Sequence, residues 1–191
     1  ELRKAIQRDK NMGYVPSGII AVTGATSSGS CDDIAQISEV AIEEGLYMHV
    51  DAAWAGSAMI CPEYRNLWQG IENVDSIVFN PHKWLGAQFD CSVQFLKDKN
   101  VQKNTLSILP EYLKTKGVEG ITNLSDYTIQ LGRRFRALKL WFLIRSEGLS
   151  GLRNMIRNHV DWTEKLHDKL EKFDNIEIIT KPILSLFTFR Y

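Results

Sequence analysis

The chain has 191 residues, 44% of them hydrophobic, and its 23 Lys and Arg are matched by 23 Asp and Glu. That apolar share is enough for a real core in one domain, and the charge balance argues against a nucleic-acid partner or an anionic membrane surface. No apolar run reaches membrane-spanning length, and Cys31, Cys61 and Cys91 are too dispersed for a zinc site, so the reading is reduced thiols in a cytoplasmic protein with no metal.

Residues 1–12 read as a charged amphipathic helix, not a signal peptide, closed by Gly13 and followed by Pro16. Residues 18–22 read as a buried strand that runs into a loop of small residues at 23–30. Asp33 and Gln36 have the spacing of a capping box, and Ile34, Ile37 and Ala41 carry a helical stripe that ends at Gly45. A second strand, residues 46–50, gives out at Asp51; a short helix is expected over 62–69, and a third strand, 75–79, gives out at Asn80. Residues 91–96 make one more strand. This order of elements predicts an α/β fold built on a largely parallel sheet.

From Lys97 to Thr128 the apolar period dissolves, which predicts a lid or an unstructured segment over about 98–128. A helix apolar nearly all round, and so expected to be buried, runs from Leu131 to Arg145 and stops at Glu147-Gly148. Arg133, Arg134, Arg136 and Lys139 crowd its start; salt bridges to neighbours such as Asp126 explain them better than an anion site. A second long helix after Ser150 carries Leu152, Ile156, Val160, Thr163, Leu166, Leu170 and Phe173 on one face. Strands at 176–179 and 185–190 would then open a smaller α+β domain, dividing the chain into residues 1–148 and 149–191.

Two strand ends carry the chemistry. His49-Val50-Asp51 and Asn80-Pro81-His82-Lys83 each follow an apolar run, separated by about a crossover's length of chain. Ligands of open parallel sheets collect beyond the carboxyl ends of the strands, where Asp51 and Lys83 would both project. Taken singly, the lysine is a solvated charge and the aspartate a turn cap. As a pair they suit pyridoxal phosphate, whose aldehyde forms a Schiff base with a lysine and whose ring nitrogen is kept protonated by an acid. Thr26 is a third strand-end group, among glycines and serines that admit close backbone approach, although an ordinary turn-rich loop has the same composition.

The segments His49-Val50-Asp51-Ala52-Ala53-Trp54-Ala55-Gly56-Ser57-Ala58 and Phe79-Asn80-Pro81-His82-Lys83-Trp84 resemble the two signatures of the group II pyridoxal-phosphate-dependent decarboxylases. Ile60-Cys61-Pro62-Glu63-Tyr64-Arg65 resembles the aromatic-L-amino-acid decarboxylase branch, and the likeness continues through Leu131-Gly132-Arg133-Arg134-Phe135-Arg136. The resemblance implies the aspartate aminotransferase-like fold (fold type I): part of a cofactor-binding large domain, then the start of a small C-terminal domain. Family members are more than twice as long, so the chain would be their central and early C-terminal part.

It further implies that Lys83 forms the Schiff base, Asp51 pairs with the pyridine nitrogen, and Ala53 packs on the ring. Thr26 contacts the cofactor, Asn80 helps hold the phosphate, and His82 supports the cofactor–substrate adduct. Tyr112, in the expected lid, would deliver a proton to the α-carbon after carbon dioxide leaves. The implied reaction is decarboxylation of an aromatic L-amino acid to its amine, in a homodimer whose site forms at the subunit interface. Aromatic aldehyde synthesis and decarboxylation of another amino acid such as glutamate are the rivals with the same cofactor. A non-catalytic fragment or pseudoenzyme is the rival of another class.

Overall fold

Three of the apolar runs fold as neighbouring parallel strands in the computed structural model, which describes residues 1–107 and 122–191. β1 (Gly18–Val22), β2 (Tyr47–Asp51) and β3 (Ser76–Phe79) lie side by side in chain order, and β4 (Val93–Leu96) lies beside β3. Gly18 pairs with Tyr47 and Val22 with Asp51; His49 pairs with Ser76 and Asp51 with Val78. The carboxyl ends of the three strands therefore finish level with one another. The expectation of a buried first strand is corrected: β1 ends the sheet among the described residues, with Ala21 buried but Ile20 71% exposed.

The chain divides into two compact units, Glu1–Phe95 with Arg136–Tyr191, and Leu96–Phe135. In the first, α1 (Leu2–Asn11) buries Ile6 and is tied to α2 (Ile34–Glu44) by the ion pairs Arg3–Glu43 and Lys10–Glu44. α2 begins where Asp33 Oδ1 accepts the Gln36 N–H at 3.0 Å, while the Gln36 amide donates to Asp33 Oδ2 at 2.6 Å. It ends at Gly45, whose φ of 64° is the left-handed conformation that glycine takes without a steric cost. Ile34, Ser38 and Ala41 on its inner face meet a core that includes Ala21, Met48, Val50 and Ile77.

The crossover from β2 to β3 is not one short helix but three 3₁₀ turns, Ala55–Ile60, Pro62–Trp68 and Ile71–Asn73. Ala55, Ala58 and Cys61 are buried at every third residue, the repeat of a 3₁₀ turn, and Trp68 is buried beyond them.

The two expected helices after residue 131 are the two halves of α4 (Ala137–Leu170), separated as predicted at Gly148, where φ is 65° and ψ 170°. After that break, Leu152, Ile156 and Val160 fill the core, as the four-residue spacing predicts. Arg153 Nε donates to Ile60 O at 2.7 Å and Arg157 Nε to Glu63 at 2.5 Å, so this half of α4 is fastened to the 3₁₀ crossover. The Arg157 guanidinium holds the Glu63 carboxyl down at about 2.

The half before Gly148 departs from expectation. It starts at Ala137 rather than Leu131, and only Leu140 and Leu143 pack on the core. Trp141 and Phe142 are 55% and 58% exposed, because a helix apolar all round can press only one stripe against the rest of the unit. Arg136 pairs with Asp90 at 2.8 Å, and Lys139 Nζ donates to the carbonyls of Phe89 and Asp90 at 3.2 Å. β5 (Glu177–Ile178) and β6 (Phe189–Arg190) close the unit as a two-stranded antiparallel pair.

In the second unit, two stretches of the segment expected as a lid or unstructured over about 98–128 are helical, and its residues 108–121 lie outside the described residues. α3 (Lys99–Leu106) is capped by Asp98 Oδ1, which accepts the Asn100 N–H at 2.8 Å. A 3₁₀ turn covers Leu124–Tyr127, and its buried Asp126 pairs with Lys103 at 3.6 Å. Gln102 Nε2 donates to Tyr127 O at 3.1 Å.

Candidate active site

Backbone hydrogen bonds lace the three strand ends together beyond the sheet proper. Thr23 N–H donates to Asp51 O at 2.9 Å, Ala52 N–H to Val78 O at 3.0 Å, and Asn80 N–H to Ala53 O at 2.8 Å. The loop of Thr26, the Asp51–Ala53 segment and the Asn80–Lys83 turn are thereby fixed at one edge of the sheet, as the positions of the strand ends predict.

Asp51 is half-buried, and its Oδ1 accepts the Ala53 N–H at 2.9 Å; Oδ2 takes no hydrogen bond from the described residues. One oxygen thus sets the orientation of the carboxylate, and the other is left for a partner. Ala53 is half-buried beside it. Thr26 is exposed on a loop closed by Gly24 and Ala25 N–H groups donating to Ser30 O at 3.0 and 2.9 Å. Gly24 has a φ of 83°, and a Cβ there would stand 2.6 Å from Ala55 Cβ and 2.9 Å from the Trp54 ring, so only glycine fits.

Asn80 Oδ1 accepts from Ser92 Oγ at 2.6 Å, which leaves the amide N–H₂ as the donor available to a ligand. Pro81 is fully buried and Lys83 N–H donates to Asn80 O at 2.9 Å, closing a tight turn. His82 is clamped on the backbone of Cys91, its Nδ1 3.0 Å from the nitrogen and 2.7 Å from the oxygen, with the Phe89 ring edge-on at 4.8 Å. Lys83 is exposed, and among the described residues its ammonium makes no hydrogen bond or ion pair. Tyr112 lies outside the described residues. Burial pushes the Cys31 and Cys91 thiols up, which keeps these two neighbours of the site protonated and poor nucleophiles.

Sequence reasoning missed several contributors. Ser92 follows no motif and reaches Asn80 only because β4 lies beside β3. Trp54 and Trp84 stand inside the quoted segments, yet their contact, with ring centroids 5.2 Å apart, has no sequence signal. His159, on α4, accepts from Trp84 Nε1 at 2.9 Å and is separated from it by 75 residues. An oriented carboxylate, a free amine, an amide donor and a glycine-walled loop on one sheet edge are a donor set that fits pyridoxal phosphate.

That edge and its sheet define an α/β protein of fold type I, the pyridoxal-phosphate-dependent class. Over residues 1–191 the chain matches the pyridoxal-dependent decarboxylase conserved domain, and it belongs to that family. It is 41% identical to the aromatic-L-amino-acid decarboxylase of Mus musculus, across 99% of this chain and 40% of that protein. It is equally 41% identical to the phenylacetaldehyde synthase of Arabidopsis thaliana, across 99% of this chain and 39% of the synthase. The crystal structure of Oryza sativa TDC with PLP and tryptamine superposes with a TM-score of 0.94 at 38% identity, covering 99% of this chain and 39% of that one. The chain spans about 40% of the length of the curated relatives it matches.

Proposed function

We propose that the protein carrying this chain decarboxylates an aromatic L-amino acid to its amine and carbon dioxide, with pyridoxal phosphate bound through Lys83. The observation that carries this reading is the placement of Asp51 and the Asn80–Lys83 turn at the ends of adjacent parallel strands. The chemistry the cofactor supplies when bound is an electron sink for the charge left on the α-carbon as carbon dioxide departs.

The chain's own residues prepare that chemistry. Asp51, with Oδ1 tied to Ala53 N–H, keeps Oδ2 without a partner among the described residues and would hold a ring nitrogen protonated. Lys83 presents an amine that no acid of the described residues engages, so no ion pair would have to be broken, and only a proton lost to solvent, for it to hold an aldehyde. Ala53 offers a small apolar face for a ring, and Asn80 with Thr26 would donate to polar groups of the cofactor. His82 holds its imidazole in one place through Cys91. Tyr112 returns a proton to the substrate carbon.

The aldehyde synthase among the relatives, as similar as the decarboxylase, favours oxidative aldehyde formation as the second reading. Tyr112 speaks for the amine, and Ile60-Cys61-Pro62-Glu63-Tyr64 weighs against the glutamate branch. The protein is proposed to work in the cytoplasm as a homodimer with its site at the subunit interface, and residues 149–191 to open its small domain.

The test is made on the full-length protein. It is incubated with pyridoxal phosphate, reduced with borohydride and mapped by mass spectrometry, then assayed for amine against aldehyde, ammonia and peroxide. A label on Lys83 with amine as product is expected. A folded protein that takes no label would end the enzyme reading, and aldehyde with peroxide would move it to the second one.

A further inference from the structure

Lys83 owes its position to its neighbours, since its own side chain is exposed and unbonded among the described residues. On one side His82 is clamped on Cys91. On the other, Trp84 Nε1 donates to His159 Nδ1 at 2.9 Å, and its ring lies 5.2 Å from that of Trp54 at an interplanar angle of 46°. Trp54 in turn donates through Nε1 to Gly24 O at 2.5 Å. Each tryptophan closely follows one of the paired groups, Trp54 after Asp51 and Trp84 after Lys83, and Gly24 opens the loop of Thr26. Two indoles therefore join all three strand-end segments and tie them to α4.

We infer that Trp84 and His159 are positioning residues for Lys83, an inference that rests on the function proposed above. Trp84 is half-buried: one side packs on the core, and the other faces an open cavity of about 350 Å³ lined also by His159, Trp162, Thr163, Leu166 and Ser185. The hydrogen bond to His159 and the contact with Trp54 choose its orientation. The His159 backbone is set on α4 between buried Ile156 and Val160, its carbonyl accepts from Thr163 Oγ1 at 2.8 Å, and its ring lies 5.4 Å from that of Trp162. An indole N–H finds an acceptor at Nδ1 only when the imidazole is neutral with its proton on Nε2, so the histidine serves as a fixed acceptor. With Pro81 buried ahead of it and Trp84 pinned behind it, the Lys83 backbone has one orientation from which to project its amine.

The full-length protein and its variants W84F, H159L and H159N are compared in two ways. Amide hydrogen exchange over residues 80–86 is followed in the cofactor-free protein, and the rate at which pyridoxal phosphate leaves on dilution is followed in the loaded protein. W84F and H159L should each raise exchange in that segment and speed cofactor loss roughly three- to tenfold, the worth of one hydrogen bond. The double variant should be no worse than either. H159N keeps an acceptor close to the Nδ1 position and should restore both readouts. The inference is overturned if H159L exchanges and releases cofactor as the wild type does, or if H159N behaves as H159L. A lowered thermal midpoint with unchanged exchange over 80–86 also overturns it. A wild type that takes no label on Lys83 would defeat the proposed function instead, and the exchange comparison would still decide whether the tie to His159 holds the turn.

Discussion

Gly56 lies fully buried in the first 3₁₀ turn after Asp51, and a Cβ there would stand 2.5 Å from Phe79 Cβ and 3.2 Å from Ala52 Cβ. Non-bonded carbons settle about 3.5–4.0 Å apart, so Gly56→Ala must open at least about 1 Å between this turn and β3, the strand that leads to Lys83. Neither neighbour can escape by rotating a side chain, because both atoms are fixed to backbone. Overpacking of this kind costs about 1–3 kcal/mol. The same opening separates the segment bearing Asp51 from the one bearing Lys83, and misplacement by about 1 Å is worth on the order of 100-fold in rate. The assay pairs urea unfolding with kcat for amine release in the full-length protein. A lower midpoint with unchanged denaturant slope and a large loss of kcat are expected. Wild-type midpoint and rate together would refute the close contact between the two strand-end segments.

Gly151 offers the opposite case: it is helical, and a Cβ would meet Glu147 Cβ at an ordinary 3.5 Å. Gly151→Ala should stabilise by about 0.5–1 kcal/mol, read as a higher urea midpoint, and a lower midpoint would count against regular helix there. Asp51→Ala should lower kcat by about 100- to 1000-fold while a folded protein remains; a loss of less than about fivefold would remove Asp51 from the chemistry. The Arg157 hydrogen bond holds the Glu63 carboxyl at about 2 against an ordinary 4.5. A folded-state value below the unfolded one stabilises above that ordinary value, and the benefit drains away as pH falls through the window between the two. The stability gap between wild type and Glu63→Gln, measured by urea at pH 7 and again at pH 3, should therefore narrow on acidification. A gap that widens would contradict the pairing.

Much of the site was legible because strand ends are legible. Asp51 and Asn80 stand where apolar runs stop, and parallel pairing in chain order brought those stops level. The helix start at Asp33 and the stop at Gly45 followed from capping chemistry and backbone freedom. α3 escaped notice because Lys99–Leu106 buries no residue and so shows no stripe; only its Asp98 cap could have announced it. The exposure of Trp141 and Phe142 was misread because apolar periodicity reports what a helix could bury, not what this chain places against it. The indole and imidazole contacts were invisible for a third reason: they join positions up to 75 residues apart through tertiary packing alone.

The order of the strands in the sheet, β1-β2-β3, is also their order in the chain. A polypeptide leaving the ribosome can thus dock each parallel strand on the previous one as it emerges, with no later segment needed between them. The strand pair that carries Asp51 needs nothing from the segment that carries Lys83 in order to form. The last fastening arrives much later, when α4 brings His159 back to Trp84 across 75 residues of chain. Synthesis would then build the acid side of the site first and tighten the amine side last.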